Sequence, residues 1–241
     1  MLTRTEFRLR DQGTAAGFLW TLLHPLLLFL ILHKVFVAWL APRIPDYAAC
    51  LLVGIVQWNF FSAATSAGLT SLRRKAALLS SYSFPRVFIV LSSVAAVLLS
   101  HLLEWAVLLV ALLLLGVKPG LGWLALPLLI AAESALAVAL SCPLAVLCAE
   151  VRDLERVWGL LLYGVFFLTP VFYTTAAAGE GARAWVDRNP LSWVIEASRA
   201  AALGGGRAMP QGWAVPLGAA LFCAAAVLSF PRLSRGVEEK L

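Results

Sequence analysis

Charged side chains are scarce in this sequence. They make up 13% of its 241 residues, whereas 61% are hydrophobic and the mean hydropathy is +0.88. This composition excludes an ordinary water-soluble domain, whose surface needs many more charged residues. Long apolar runs fill the chain instead, and a helix of about 20 apolar residues crosses the hydrocarbon core of a bilayer. The sequence therefore predicts an all-α polytopic membrane protein.

Nucleotide-binding and metal-binding motifs are also missing. No stretch reads GxxxxGK[ST], and the dipeptide Gly-Lys does not occur, so the chain lacks a P-loop for ATP. The four cysteines lie in or beside apolar runs without CxxC or CxxH spacing. We interpret them as small buried side chains. The sequence predicts no metal site, no directly bound cofactor and no catalytic residues.

Six apolar runs of membrane-spanning length follow one another with short polar connections. A signal peptide is an alternative for the first run, but the run is too long for a signal-peptide core and no clear A-x-A site follows it. Because the runs use most of the chain, we predict one membrane domain over residues 1–241. The predicted spans cover about 18–40, 47–70, 87–115, 121–148, 157–174 and 213–231.

Lysine and arginine are divided unevenly between the two sides of such a bundle. Six crossings place both termini on one side, and that side holds twelve Lys and Arg residues against six on the other, with Lys34 inside the first span. Positive charge concentrates in cytoplasmic loops. We therefore expect both termini in the cytoplasm and the segment 175–211 on the outer side.

The outer segment carries signals for two short helices. A stretch near 182–186 is followed by a helix-like run over 191–203, with Asn189 as N-cap and Pro190 as first helical residue. We expect an outer amphipathic helical hairpin. Whether it re-enters the membrane or lies in the headgroup layer stays open at this point.

Several motifs occur in a fixed order along the chain. Each is weak alone, but their order and their coincidence with six spans are specific. They are Gly17, Trp20 and Pro25 in GFLWTLLHPLLLF, the run LLVGIVQWNFFS at 51–62, Phe84-Pro85-Arg86, Val151-Arg152-Asp153-Leu154, Thr169-Pro170-Val171-Phe172-Tyr173, and Asn189-Pro190-Leu191 with Arg199. Together they resemble the permease subunits of ABC-2 type exporters, especially those that move lipid-linked polysaccharides or teichoic acids.

The resemblance implies a homodimer of permeases with two ABC ATPase subunits, which bind ATP and Mg in the permease's place. It also implies an interfacial amino-terminal helix, re-entrant outer helices and a cytoplasmic coupling helix within about 72–82. The charged connection after span four is a second candidate contact, although Asp153 is also a plausible cap for the next helix. The predicted ATPase-coupling residues are Leu72, Arg73, Arg74, Lys75, Leu78, Arg152 and Asp153.

Aromatic residues in spans one and five offer flat apolar faces, which suit the C–H faces of sugar rings. The alternative is an ordinary interfacial belt or helix packing. The candidate translocation path consists of Trp20, Phe29, Phe36, Tyr163, Phe166, Phe167 and Tyr173. Pro170 interrupts span five, and this suggests an outer gate made of Thr169, Pro170, Asn189, Pro190 and Arg199.

Ionisable residues inside a membrane are costly and need a reason. His101 and Glu104 are three residues apart on one face of span three, and Glu133 lies in span four. A proton relay and simple pairing between helices are the two interpretations, and we favour pairing.

We therefore expect a transport subunit rather than an enzyme, in the inner membrane of a bacterium. Its expected cargo is a lipid-linked glycan such as O-antigen, capsule or teichoic acid, and its partners are membrane lipid and the ATPase, with no nucleic acid. The alternatives are an ABC-2 permease for drugs or other lipids, a proton-coupled transporter and a membrane-embedded lipid-modifying enzyme.

Overall fold

The computed structural model describes residues 17–76, 85–204 and 214–234, and its side chains are described over the same ranges apart from 17–22 and 215. This part of the chain is helical and contains no strand. Two 3-10 turns, Leu121–Ala125 and Thr175–Ala177, interrupt the connections. The helices are α1 (Gly17–Leu40), α2 (Tyr47–Arg74), α3 (Val87–Leu114), α4 (Leu126–Glu150), α5 (Leu154–Leu168), α6 (Glu180–Val186), α7 (Pro190–Leu203) and α8 (Ala214–Leu233).

Five segments of the described chain are long and apolar enough to cross a membrane. They coincide with the first, second, third, fourth and sixth predicted spans, since the apolar runs that fix helix length are visible in the sequence. The protein is thus an all-helical, multi-pass membrane protein. The candidate spans are Leu23–Leu40, Tyr47–Arg74, Val87–Leu114, Leu121–Glu150 and Pro216–Leu233.

The helix in the place of the fifth predicted span is shorter than expected. α5 has 15 residues, about 22 Å at 1.5 Å per residue, against a hydrocarbon core of about 30 Å. It ends at Leu168, because a residue before proline avoids helical angles and Thr169 is extended (φ −97°, ψ 139°). The helix therefore ends before residue 174, the expected end of the fifth span, and the chain from Thr169 to Thr174 is not helical.

Two helices, α2 and α4, form the centre of the bundle. They pack against each other, and α3 and α8 pack against one or both of them. At their crossing, a side chain added at Gly68 of α2 would collide with Ser141 of α4. Small residues at such a crossing let two helix backbones approach closely in a membrane.

α1 and α5 lie at the edge of the bundle. Large apolar side chains of both helices point away from the protein, among them Ile31 and Val35 on α1 and Leu160 and Tyr163 on α5. In a membrane protein such a surface faces lipid or another chain.

Two short helices, α6 and α7, occupy the segment in which the sequence predicts an outer hairpin. The Asn189 side chain accepts a hydrogen bond from the Leu191 backbone N–H, and Pro190 begins α7, which confirms the predicted N-cap. Most of α7 is buried against α2 and α4. A helix that lay on a bilayer surface would leave one face exposed, so this packing favours a position inside the protein.

The predicted coupling segment is described only in part. Residues 72–74 are the last turn of α2 rather than the start of a separate helix. Residues 77–84, including Leu78, and the amino-terminal residues 1–16 lie outside the described part of the chain.

Candidate functional site

A buried arginine joins three segments at one end of the bundle. The Arg199 side chain, of a residue only 1% exposed, donates Nε to the Cys50 carbonyl at 3.0 Å, Nη2 to the Val171 carbonyl at 2.7 Å and Nη1 to the Tyr173 carbonyl at 2.9 Å. Nη1 also pairs with Glu196 Oε1 at 3.0 Å. Because the planar guanidinium directs its donors along fixed lines, these bonds fix α2, α7 and the loop after α5 in one arrangement. We call this set of contacts the arginine clamp.

Two further hydrogen bonds extend the arginine clamp. Glu196 Oε1 accepts from the Thr175 backbone N–H at 3.0 Å, and Asn189 Nδ2 donates to Thr169 Oγ1 at 3.0 Å. Pro170 lies buried between these contacts. Of the residues predicted for an outer gate, Thr169, Asn189 and Arg199 thus form hydrogen bonds here, and Pro170 and Pro190 are their chain neighbours.

Gly54 of α2 lies under the arginine clamp. A side chain at this position would collide with the Val171 carbonyl oxygen and with Arg199 Nη2. The loop after α5 can therefore approach α2 only where α2 carries no side chain.

Aromatic rings of α1 and α5 meet around Phe172. Its ring stacks on Phe36 at a centroid distance of 5.0 Å and contacts Phe166 at 5.8 Å, Phe167 at 5.9 Å and Tyr173 at 5.1 Å. These distances are those of favourable aromatic pairs. Four of the seven aromatic residues predicted for a translocation path are thus joined through Phe172, another aromatic residue of the fifth predicted span. We call these five residues the aromatic cluster.

The other three predicted path residues lie elsewhere. Phe29 contacts His33 with ring centroids 5.3 Å apart, and the Trp20 side chain is outside the described set. Tyr163 is 74% exposed and Phe167, at the edge of the aromatic cluster, is 61% exposed. The exposed rings point out of the chain, so a single copy leaves this aromatic face open.

At the far end of α2, Arg73 reaches the connection between α4 and α5. Its Nη1 lies 3.6 Å from Glu155 Oε2 and donates to the Arg152 carbonyl at 3.4 Å and to Cys148 Sγ at 3.5 Å. Asp153 occupies the N-cap position of α5 without a capping bond and accepts instead from Arg156 at 3.3 Å. The two predicted coupling regions are therefore in direct contact.

The neighbours of Arg73 differ in their surroundings. Leu72 is fully buried, so its side chain packs the core and cannot reach a partner protein in this conformation. Lys75 Nζ donates to Ser92 Oγ at 3.1 Å and Ser93 Oγ at 3.2 Å. Arg74 is exposed, which makes it the member of the basic triplet that is available to a partner.

The intramembrane ionisable residues meet between α3 and α4. His101 Nε2 accepts a hydrogen bond from Trp105 Nε1 at 2.9 Å, and its ring stacks on Phe60 at 4.3 Å. Glu104 Oε2 lies 3.7 Å from Nδ1 and Glu133 Oε2 lies 3.8 Å from Nε2. A nitrogen that accepts the indole proton carries none itself, so this histidine is neutral.

Glu133 is completely buried, and neither of its carboxyl oxygens has a hydrogen-bond partner among the described residues. An ionised carboxylate without a partner is costly in such a place, so the neutral acid is the form that fits. The cluster therefore resembles the inter-helix contact that we favoured. Its role in transport stays a prediction.

Several participants carried little sequence signal. Arg199 and Glu196 have the spacing of a helical pair, but the carbonyl partners of Arg199 are backbone groups that every residue possesses. Gln57 of α2 donates to Ser198 of α7 at 2.7 Å inside the core, and nothing in the sequence links these two positions. Gly54 is a hint in the sequence, because a glycine inside a helical pattern often has a packing reason.

The sequence is similar to a transporter family and to named export permeases. The family model described as "ABC-2 type transporter" matches residues 1–203. Two proteins from Klebsiella pneumoniae, each named "O-antigen export system permease protein RfbA", are 28% identical over 196 residues, which cover 81% of this chain and 76% of theirs. A protein of the same name from Myxococcus xanthus is 29% identical over 172 residues, 71% of this chain and 66% of its own.

Proposed function

Because the chain belongs to the ABC-2 type transporter family, we propose that it is the permease subunit of an exporter for a lipid-linked polysaccharide. The cargo, of the O-antigen, capsule or teichoic-acid type, moves from the cytoplasm to the outer leaflet. The observation that carries this proposal is the similarity to O-antigen export permeases along most of the chain.

The path for the cargo lies along the aromatic face of α1 and α5. A glycan needs flat apolar surfaces and space, and the exposed rings of Tyr163 and Phe167 offer both on the outside of a single copy. Two copies that face each other through these helices enclose a path between them, as in a symmetric homodimer.

ATP hydrolysis belongs to a separate ATPase, since the sequence has no P-loop. Two ATPase subunits hold the ATP and Mg. Their contact surface on the permease includes Arg74. The contacts of Arg73 with Glu155 and the Arg152 carbonyl, which we call the Arg73 bridge, carry movement from α2 to the connection before α5.

The membrane topology follows from the charge distribution. Besides the five candidate spans, α5 and the segment after Leu168 form one further crossing, which makes six in all. Both termini then lie in the cytoplasm. The outer hairpin then re-enters the membrane, and the arginine clamp holds it as part of the outer gate. The membrane is the inner membrane of a bacterium.

An ABC-2 permease for drugs or other lipids is the nearest alternative. A proton-coupled transporter or a lipid-modifying enzyme would need ionisable groups open to substrate or water. His101 and Glu133 are buried instead, and this burial argues against both classes.

The test is co-purification of the tagged permease with its ATPase from native membranes in mild detergent. We expect an ATPase with the wild-type chain and severalfold less with Arg74→Glu, because charge reversal at an exposed contact opposes association. Arg43→Glu is the matched control, since Arg43 is also exposed but lies on the opposite predicted side.

The outcomes separate two claims. Absence of any ATPase from the wild-type preparation, under conditions that keep other membrane complexes together, would contradict the exporter. Equal amounts with Arg74→Glu and with wild type would contradict only the proposed contact surface.

A further inference from the structure

A groove opens beside the last candidate membrane span. It has a volume of about 320 Å³ and lies between α4, α8 and the start of α7. Its walls include Leu136 of α4 and Gly218, Ala219 and Phe222 of α8, and one charged side chain, Arg188, stands at its rim. The volume is at the lower end of the range of small-ligand sites.

The groove follows a membrane-spanning helix. Its α8 lining extends from Ala214 to Phe222, eight helical steps or about 12 Å along the helix. A side chain added at Gly218 would meet no atom within 4 Å, so this glycine leaves the groove open. On the same helix, Leu217 is 62% exposed and faces away from the protein. In a bilayer the groove therefore opens sideways into hydrocarbon.

The rim of the groove has the character of the headgroup layer. Trp193 lines the groove and donates Nε1 to the Asp187 carbonyl at 2.8 Å, and tryptophan is typical of the membrane interface. Arg183 pairs with Asp187 at 3.9 Å, whereas no ion pair of Arg188 occurs within the described ranges. An exposed guanidinium thus stands where phosphate groups of a bilayer lie.

We propose that this groove binds an anionic phospholipid of the surrounding bilayer, with one acyl chain along Gly218 and Phe222 and the phosphate on Arg188. The apolar floor matches an acyl chain, and the cation matches a phosphate, for which arginine is a strong bidentate donor. A zwitterionic lipid brings its own cation, which competes with Arg188. A water-soluble ligand does not fit a groove that faces hydrocarbon.

Such a lipid stays bound to the protein and is not the transported cargo. It contacts α4, α7 and α8 at once, so it adds a connection between the last candidate span and the outer hairpin. This role is independent of the proposed polysaccharide export.

Native mass spectrometry of the purified full-length protein tests the site. The protein in detergent is titrated with phosphatidylglycerol and, separately, with phosphatidylcholine. We expect retention of phosphatidylglycerol in preference to phosphatidylcholine. Retention is about tenfold weaker in Arg188→Gln, because a hydrogen bond to a charged group is lost.

Groove-filling variants locate the lipid. Gly218→Leu places a side chain in the open space and should abolish retention, and Ala219→Leu is a second filler in case the first fails to fold. Arg183→Gln and Leu217→Phe are the controls. The first removes a charge close to Arg188 in the sequence and the second adds bulk to α8, and neither residue lines the groove. Folding of every variant is checked by its thermal transition.

Three results would overturn the site. One is equal retention of both lipids by wild type. Another is retention of phosphatidylglycerol that Gly218→Leu and Ala219→Leu leave unchanged. The third is loss of a dimer in the filled variants, which would make the groove an interface between two copies of the chain.

Discussion

At the scale of single residues, Arg199 is the side chain that joins α2, α7 and the loop after α5. It is buried, it satisfies three backbone carbonyl groups, and Glu196 balances its charge. A buried charged network is costly to break because removal of one member leaves the others without partners. The same reasoning does not apply to the exposed pair of Arg183 and Asp187, which water solvates.

Arg199→Met tests this dependence. Methionine keeps much of the volume but none of the donors, so we expect the free energy of unfolding to fall by about 3–5 kcal/mol. Arg199→Lys keeps the charge without the planar geometry. Its free energy of unfolding should therefore lie between the values of wild type and Arg199→Met. Thermal unfolding of the detergent-solubilised protein measures the effect.

Arg183→Met is the matched control for that experiment. It removes an arginine from an exposed pair in the segment that also contains Arg199, and we expect no measurable change in the free energy of unfolding. If Arg199→Met were as stable as Arg183→Met, the arginine clamp would not support the fold.

At the scale of elements, α2 is a central helix against which several other elements pack. Gly68 gives α4 a close crossing, and Gly54 leaves room for the loop after α5. A glycine inside a helix lowers its intrinsic stability by roughly 0.5–1 kcal/mol relative to alanine. The two positions keep glycine because of contacts made by other elements.

Gly54→Ala should therefore destabilise the protein, although alanine is the better helix former. The new Cβ meets a backbone carbonyl and the end of Arg199, and an overpacked core loses about 1–3 kcal/mol. Gly164→Ala in α5 is the control, because a side chain there meets open space. Thermal unfolding should show a loss of stability for Gly54→Ala and none for Gly164→Ala. Equal unfolding temperatures of the two variants would mean that the loop after α5 moves aside to admit the new Cβ.

The sequence predicts the elements better than their contacts. Apolar runs fix the ends of most helices within a few residues, and Asn189 and Pro190 give the start of α7 correctly. The run through Phe172 and Tyr173 is apolar too, so hydropathy continued the fifth span past Pro170, where the helix has ended. Long-range partners such as Gln57 and Ser198 lie 141 residues apart and have no local signature.

At the scale of the whole molecule, two surfaces of the bundle differ in their residues. On the first, α1 and α5 expose large side chains that include the rings of Tyr163 and Phe167; the second is the groove that α4, α7 and α8 line. In the proposed homodimer, the path between the copies runs along the first surface, and the second surface faces the bilayer.

Cysteine cross-linking distinguishes the two surfaces. In a chain whose Cys223 is replaced by serine, we expect Leu160→Cys to form a disulfide-linked dimer in native membranes, because equivalent residues near a two-fold axis approach each other. Leu228→Cys on α8 is the control; the two leucines are 72% and 78% exposed. Cross-linking through Leu228→Cys alone would reverse the proposed arrangement.

α2 also has a mechanical property that follows from its contacts. It is one helix of 28 residues without a proline, held near its start by the arginine clamp at Cys50 and near its end by the Arg73 bridge. These two attachment points are 23 residues apart, about 34 Å along the axis. A stiff rod fixed at both ends transmits a push or a rotation directly. We therefore expect a force applied at one end of α2 to reach the other end through the helix itself.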